Sequence, residues 1–439
     1  MHVADRVAGG AWSALAVRAG ASRRQRAGRA LLAWSVIVMA AAIPTSMSAM
    51  GIAFAGMVAG AVIALTPVHR VPGFAAGLAF AAALAAAGIA SAVLSGSWRS
   101  LPQGSYLTSW LVVPLAAVAF ADAAVRQRAL VALAAGLAVN AAHVITAWTA
   151  GHGPGGVRVD GLVGGALTQG LVAALALTLC AALVARARPT PTAVVMAAGA
   201  AIALIASSSR MAWLALSLSI AAVFAVRTRR GRIALAAGVL SAGIGAAVLG
   251  ALDPSRANAL LHGRDGRWYI WRVAGSLLAD HPVLGVGGRE SFTHAYPPRW
   301  QALIEPLDPV PREPRVLHAH NTLLAFAVEH GPAAAIAYVA FIAAILRGCW
   351  RARRERPLGW RLIAPATVAW MAAAQFNHVA GRTQTAFAFY LLAGCALALA
   401  GSTGAGAPGA GAGAVGPAER RREGEGPRVA DAAGDLRHR

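Results

Sequence analysis

Residues 316–331 read VLHAHNTLLAFAVEHG, so His318, His320 and Asn321 stand at the mouth of a long apolar run. Asn321 suits the N-cap of a helix beginning there, because its side-chain oxygen can accept from the first free N–H groups. His318 and His320 then sit just outside a helix N-terminus, whose positive end disfavours imidazolium and favours anions. An imidazole kept neutral near pH 7 is what a general base requires. The pattern also fits two solvated loop histidines beside a simple cap. A zinc site is a weaker reading, since no cysteine or clear third ligand accompanies the HxH pair.

Arginines supply the complementary chemistry. Arg210 follows three serines in SSSRMAWLAL, at or slightly within the outer end of an apolar segment. A guanidinium at that depth is costly unless it faces a cavity or an anion. Arg158 in GVRVDG, Arg264 and Arg267 in GRDGRWYIW, and Arg382 in NHVAGRTQ fall on the same side of the chain's layout. Each also reads as a boundary anchor that snorkels toward water, Arg382 most of all. Taken together they suit a lipid carrying a polyanion, each arginine–phosphate bond contributing roughly 1.5–3 kcal/mol once partly desolvated. A hydrolytic glycosidase would want two carboxylates about 5–9.5 Å apart. Asp265, Asp280 and Glu290 are available, yet nothing in their spacing pairs them.

The elements that must hold these side chains are membrane helices. With 58% hydrophobic and 13% charged residues, and apolar runs of about twenty residues recurring along the chain, the composition is that of a polytopic all-α membrane protein. Lipid offers the backbone no partners, and the Ala-, Leu- and Val-rich runs lack the alternation of a barrel. Twelve spans are expected near 30–48, 50–67, 74–95, 105–122, 129–150, 161–185, 191–206, 211–226, 233–252, 321–346, 362–379 and 384–401.

All 39 basic residues are arginine. A cytoplasmic N-terminus puts 27 of them inside and 12 outside, eight of the twelve in one long loop, 253–320, where seven acidic residues nearly balance them. The positive-inside rule therefore predicts both termini in the cytoplasm. It also accounts for the net charge of +22 without a nucleic-acid partner, since the basic groups are scattered over short loops and two tails. The chain thus divides into an N-terminal tail (1–29), spans 1–9 (30–252), an outer loop (253–320), spans 10–12 (321–401) and a Gly-, Ala- and Pro-rich tail (402–439) expected to be disordered. The basic first 29 residues suit a retained anchor better than a cleaved signal. Cys180, Cys349 and Cys395 belong to the spans, so the outer loop must fold without disulfides.

A loop of that length is expected to be functional and to carry structure. Asp265 can cap a helix over 266–280 that the His281-Pro282 pair ends. Trp268, Trp271, Ala274 and Leu278, with Tyr269, make an aromatic face suited to lying flat at the headgroup boundary, although the helix could equally cover the bundle. LGVGG at 284–288 reads as a tight turn more readily than as a phosphate-cradling loop.

In order and on one side, SSSRMAWLAL, RWYIWRVAGSLLADHPVLGVGGRESF and HAHNTLLAFAVEHG resemble the O-antigen ligase family, within the superfamily that also holds O-antigen polymerases and bacterial O-linked oligosaccharyltransferases. The specific likeness covers roughly 205–335. It implies an inner-membrane glycosyltransferase with its site on the periplasmic face and no metal or nucleotide. Such an enzyme moves a glycan from undecaprenyl pyrophosphate to a sugar hydroxyl of lipid A core, with inversion. By motif, His320 would be the base and His318 its neighbour. Arg210 and Arg267 would hold the pyrophosphate, with Arg158 and Arg264 as further candidates. Asn321 and Glu329 would have supporting roles. A polymerase or a protein O-oligosaccharyltransferase would share the chemistry and differ in acceptor. A transporter of an anionic or lipid-linked solute would instead want charges near the midplane and internal repeats; an inactive scaffold for glycan assembly stays open.

Overall fold

The computed structural model describes residues 21–96, 98, 101–150, 160–184, 189–207, 209–225, 266–307 and 315–401. The first bundle helices are α1 (Arg23–Ala42), α2 (Met47–Ile63), α3 (Phe74–Ser95), α4 (Gly104–Thr108), α5 (Val112–Ala119), α6 (Ala123–Thr149), α7 (Ala166–Val184), α8 (Pro191–Ser207) and α9 (Arg210–Ala225). Two helices, α10 (Gly266–Asp280) and α11 (Arg289–Leu303), belong to the long loop. The chain then forms α12 (Thr322–His330), α13 (Pro332–Ala352), α14 (Pro357–Ala374) and α15 (Thr383–Leu399). No strand occurs among the described residues.

Among the described residues four helices, Phe74–Leu94, Ala123–Thr149, Ala166–Val184 and Pro332–Ala352, are long and apolar enough to cross a membrane, and shorter apolar helices accompany them. The chain is an all-helical membrane protein. The expected span at 233–252, the tail at 402–439, and loop segments 253–265 and 308–314 lie outside the described residues.

Caps and small residues shape the bundle. Ser22 and Gln25 close a capping box at 3.2 and 3.1 Å, so α1 begins seven residues before the expected first span. Glycines let α1 and α2 approach closely: a Cβ at Gly60 would stand 2.5 Å from the Leu32 nitrogen. Deep in the core, Trp370 stacks on Phe389 at 4.6 Å and donates to the Tyr338 hydroxyl at 2.7 Å, so its buried N–H is satisfied.

Two expected spans are broken. The run 105–122 divides into α4, a 3-10 turn and α5. More consequentially, the span expected at 321–346 ends at Gly331 and restarts at Pro332 as α13. Gly331 has φ +83° and ψ 160°, a conformation open essentially to glycine. Pro332 starts the next helix, where its missing N–H costs nothing. The nine-residue α12 is therefore a separate element, and it carries Asn321 at its head.

The long loop builds its own core. Tyr269, Ile270, Val273, Ala274 and Leu277 of α10 are buried against Phe292, Tyr296 and Trp300 of α11 and against Ala325 and Val328 of α12. The face expected to lie on the membrane is thus rotated. Tyr269 packs edge-on against Trp300 at 5.9 Å and Ala274 is fully buried, while Trp268 is 55% exposed. Helical periodicity marks an apolar stripe but does not say whether lipid or protein covers it. An Arg299–Asp280 ion pair ties α11 to the end of α10. No local pattern signals α11, because Pro297 and Pro298 interrupt it.

LGVGG forms a tight turn, with φ +66° at Gly285, +91° at Gly287 and +98° at Gly288. Its N–H groups are spent on protein: Val286 donates to the Val328 carbonyl at 2.7 Å, and Gly287 and Gly288 donate to Glu329 at 3.1 and 2.6 Å. The turn thereby satisfies carbonyls at the C-terminal end of α12 and fixes that helix to the loop core.

Candidate active site

The segment 316–321 is held by alternation. Val316 and Ala319 insert into the loop core, and His318 and His320 flank Ala319. His320 adopts φ +50°, a left-handed conformation that histidine tolerates better than most residues. This turn brings its backbone N–H to His318 Nδ1 at 3.3 Å and sets the two rings 4.4 Å apart. His318 Nδ1 is therefore an acceptor, which puts the proton of the neutral ring on Nε2.

Asn321 caps α12, accepting from Leu323 and Leu324 N–H at 3.0 and 3.1 Å. Its amide reaches across to the Gln375 carbonyl at 3.3 Å. Thr322 donates to the Asn377 carbonyl at 3.0 Å and accepts from Val379 N–H at 3.1 Å. The head of α12 is thus laced to the connection between α14 and α15, residues 375–382.

That connection contributes groups the motif reading passed over. His378 is buried, lies 5.6 Å from the His318 ring and meets the Tyr106 hydroxyl at 3.0 Å through Nε2. Arg382, expected to be chiefly a boundary anchor, is half-buried and donates to Thr168 of α7 at 3.1 Å, while its buried Nε has no protein partner. Arg289, at the start of α11, donates to the Leu317 carbonyl at 3.3 Å. The signal for His378 and Arg382 was a short polar stretch between two apolar runs, but only its arginine was weighed.

Of the expected site residues, His318, His320 and Asn321 lie together. Arg267 joins them from α10: its guanidinium lies 5.9 Å from the centre of the Phe376 ring, within the same connection. Arg210 is exposed at the first position of α9, and Met211 and Ala212 beside it line one cleft with Thr168, Asn377 and Arg382. Ser209 supports that helix start by accepting from Ala212 N–H at 3.3 Å. Glu329 stands apart at the far end of α12, fully buried. Arg158 and Arg264 lie outside the described residues, as does Asp265.

Burial lowers the basicity of all three rings. His320 is pushed down to about 4, mainly by desolvation and then by the positive charges of Arg267 and Arg382. Desolvation likewise takes His318 to about 2 and His378 to about 3. Burial, which the sequence did not reveal, is thus the leading cause of their low basicity. The pocket thus combines neutral imidazoles with guanidiniums, an arrangement able to take a proton from a hydroxyl while attracting an anion.

A pH dependence follows. A base of this kind keeps its rate flat from about pH 8 to about pH 5 and loses activity only as pH nears 4, whereas a solvated histidine would lose half near 6.5. Stability falls in the same direction but begins to do so at a higher pH than activity does. The unfolded chain takes up protons below about 6.5 that the folded rings refuse, so the stability from keeping them neutral is complete above that pH. It is lost as pH falls, at roughly 1.4 kcal/mol per pH unit for each ring. Melting temperature and initial transfer rate, recorded from pH 8 to pH 4, check both slopes.

The O-antigen ligase family model matches residues 192–339, about a third of the chain. That segment runs from α8 into α13 and contains Arg210, Arg267, His318, His320, Asn321 and Glu329. The resemblance read from the three sequence motifs is therefore shown. Among curated proteins, none matches the chain.

Proposed function

We propose, with the O-antigen ligase match over 192–339 as premise, that this chain transfers a glycan from undecaprenyl pyrophosphate to a sugar hydroxyl of lipid A core. The reaction takes place on the periplasmic face of a bacterial inner membrane, with both termini in the cytoplasm. The observation that carries this reading is one cluster of neutral histidines beside arginines, His318 and His378 buried and His320 partly so, with no carboxylate donating to or accepting from those rings among the described residues. Pyrophosphate is already a good leaving group. The protein's work is to align a hydroxyl, accept its proton and stabilise the departing anion.

His320 takes the proton from the acceptor hydroxyl. The freed oxygen bonds to the anomeric carbon as the bond to the pyrophosphate oxygen breaks on the opposite face, which inverts that carbon. The electron pair leaves with the lipid pyrophosphate. Arg267 and Arg382 offset its charge, joined by Arg210 at the cleft and by Arg158 and Arg264 of the outer segments. His318 and Asn321 position His320, one through the contact to its backbone N–H and the other by fixing the head of α12. Glu329 has a structural part, its carbonyl receiving the glycine turn.

Purified protein incubated with undecaprenyl-pyrophosphate glycan is offered three acceptors: lipid A core, a second lipid-linked glycan and a Ser/Thr-containing peptide. Product on lipid A core is expected. Product only on the lipid-linked glycan would make the protein a polymerase, and product only on the peptide an oligosaccharyltransferase. Translocation of the donor without product in any arm would leave the transporter reading.

A further inference from the structure

A second cavity, about 340 Å³, opens at the other end of the same helices. Its walls come mainly from α6, α7, α14 and α15, with Ala40 of α1 and Phe120 after α5, and include Leu130, Leu133, Leu183 and Leu392. Two half-buried arginines, Arg126 and Arg361, are the charged groups lining it, and no acidic side chain does. Arg126 is held in place by donating to the Phe120 and Ala121 carbonyls at the end of α5. Those bonds use one nitrogen of a guanidinium that has five N–H donors. Arg361 sits near the start of α14, whereas His378 follows that helix's end, so roughly 20 Å of helix separates this cavity from the histidines. From Arg126 to Leu133 the apolar wall rises by roughly 10 Å.

We propose that this cavity is a binding site for an anionic phospholipid, with acyl chain packed between α6, α7 and α15 and phosphate between Arg126 and Arg361. Apolar walls of this depth suit a hydrocarbon chain, and two guanidiniums, that of Arg126 held by the α5 carbonyls, complement a phosphate. By the arginine distribution this end faces the cytoplasmic leaflet, where anionic lipids attract such groups. The choice of a phospholipid over the polyprenyl donor rests on the functional reading above, which places the donor's pyrophosphate at the opposite end of α14.

The test needs no transfer activity, so its failure is separable from failure of that reading. Full-length protein in phosphatidylcholine nanodiscs receives chain-spin-labelled phosphatidylglycerol or labelled phosphatidylcholine, and the motionally restricted fraction is measured. The intact protein is expected to prefer phosphatidylglycerol several-fold. Arg361→Gln should reduce that preference about fivefold, and Leu130→Trp should remove the restricted fraction by filling the cavity. Equal association of both lipids with the intact protein would overturn the proposal. So would unchanged preference in Arg361→Gln, a variant whose position away from the packed core keeps it informative if Leu130→Trp misfolds. Displacement of the label by undecaprenyl phosphate at a lower mole fraction than by unlabelled phosphatidylglycerol would assign the cavity to the polyprenyl lipid instead.

Discussion

Replacing His320 with Asn is expected to lower glycan transfer by about 10²- to 10⁴-fold, the usual contribution of a positioned general base. Asparagine is the informative substitution because it tolerates the left-handed backbone that His320 adopts at φ +50°. Alanine would add strain there and confuse loss of the base with distortion of the turn. The loss should fall on kcat, with donor KM little changed, because in the proposed mechanism the imidazole acts on the acceptor proton and the guanidiniums hold the donor. His318→Gln is expected to cost less, since His318 shapes the turn by accepting from the His320 N–H. Initial rates with lipid A core as acceptor decide the matter. Activity within a few-fold of the intact protein in His320→Asn would reject the base assignment.

Arg382→Ala should be the second most damaging change, lowering kcat/KM by roughly 10²- to 10³-fold, as removal of a preorganised charge-stabilising donor does. Its guanidinium is half-buried at the cleft, beside the charge environment that depresses His320, and its Nε carries no protein hydrogen bond. A buried donor left without a protein partner is expensive unless something else uses it, and a phosphate oxygen would. Arg382→Lys should recover part of the rate, since charge persists while the planar fork is lost. Arg210 is exposed at the cleft's rim, so Arg210→Ala should weaken donor use only about tenfold. Should Arg382→Ala fold and retain full activity, its bond to Thr168 would be its whole role, that of a strut between α15 and α7.

These two residues show the reach of sequence reasoning from opposite sides. His320 was legible because chemistry and grammar coincide locally: polar residues precede an apolar run, and Asn321 is a strong cap. His378 was not, and Arg382 was read chiefly as a boundary anchor, because their relevance depends on a neighbour more than fifty positions away. The head of α12 meets residues 375–382 through Asn321 to Gln375 and Thr322 to Asn377, contacts that no local pattern announces. Tyr106 meets His378 across 272 positions, more remote still.

By itself the sequence determined the helical class, the bounds of the helix at Gly266–Asp280, the turn at LGVGG and the cap at Asn321. Each is a local property, set by apolar length, capping geometry, proline or the freedom of glycine. The stop of α12 at Gly331 is local too, written in the Gly331-Pro332 pair that the span reading passed over, whereas tertiary structure alone decided which face of α10 is covered and which charges surround His320. A run of alanine and leucine looks alike whether it will face lipid or protein. The distinction arises only when helices pack, and packing also sets how far each histidine is removed from water.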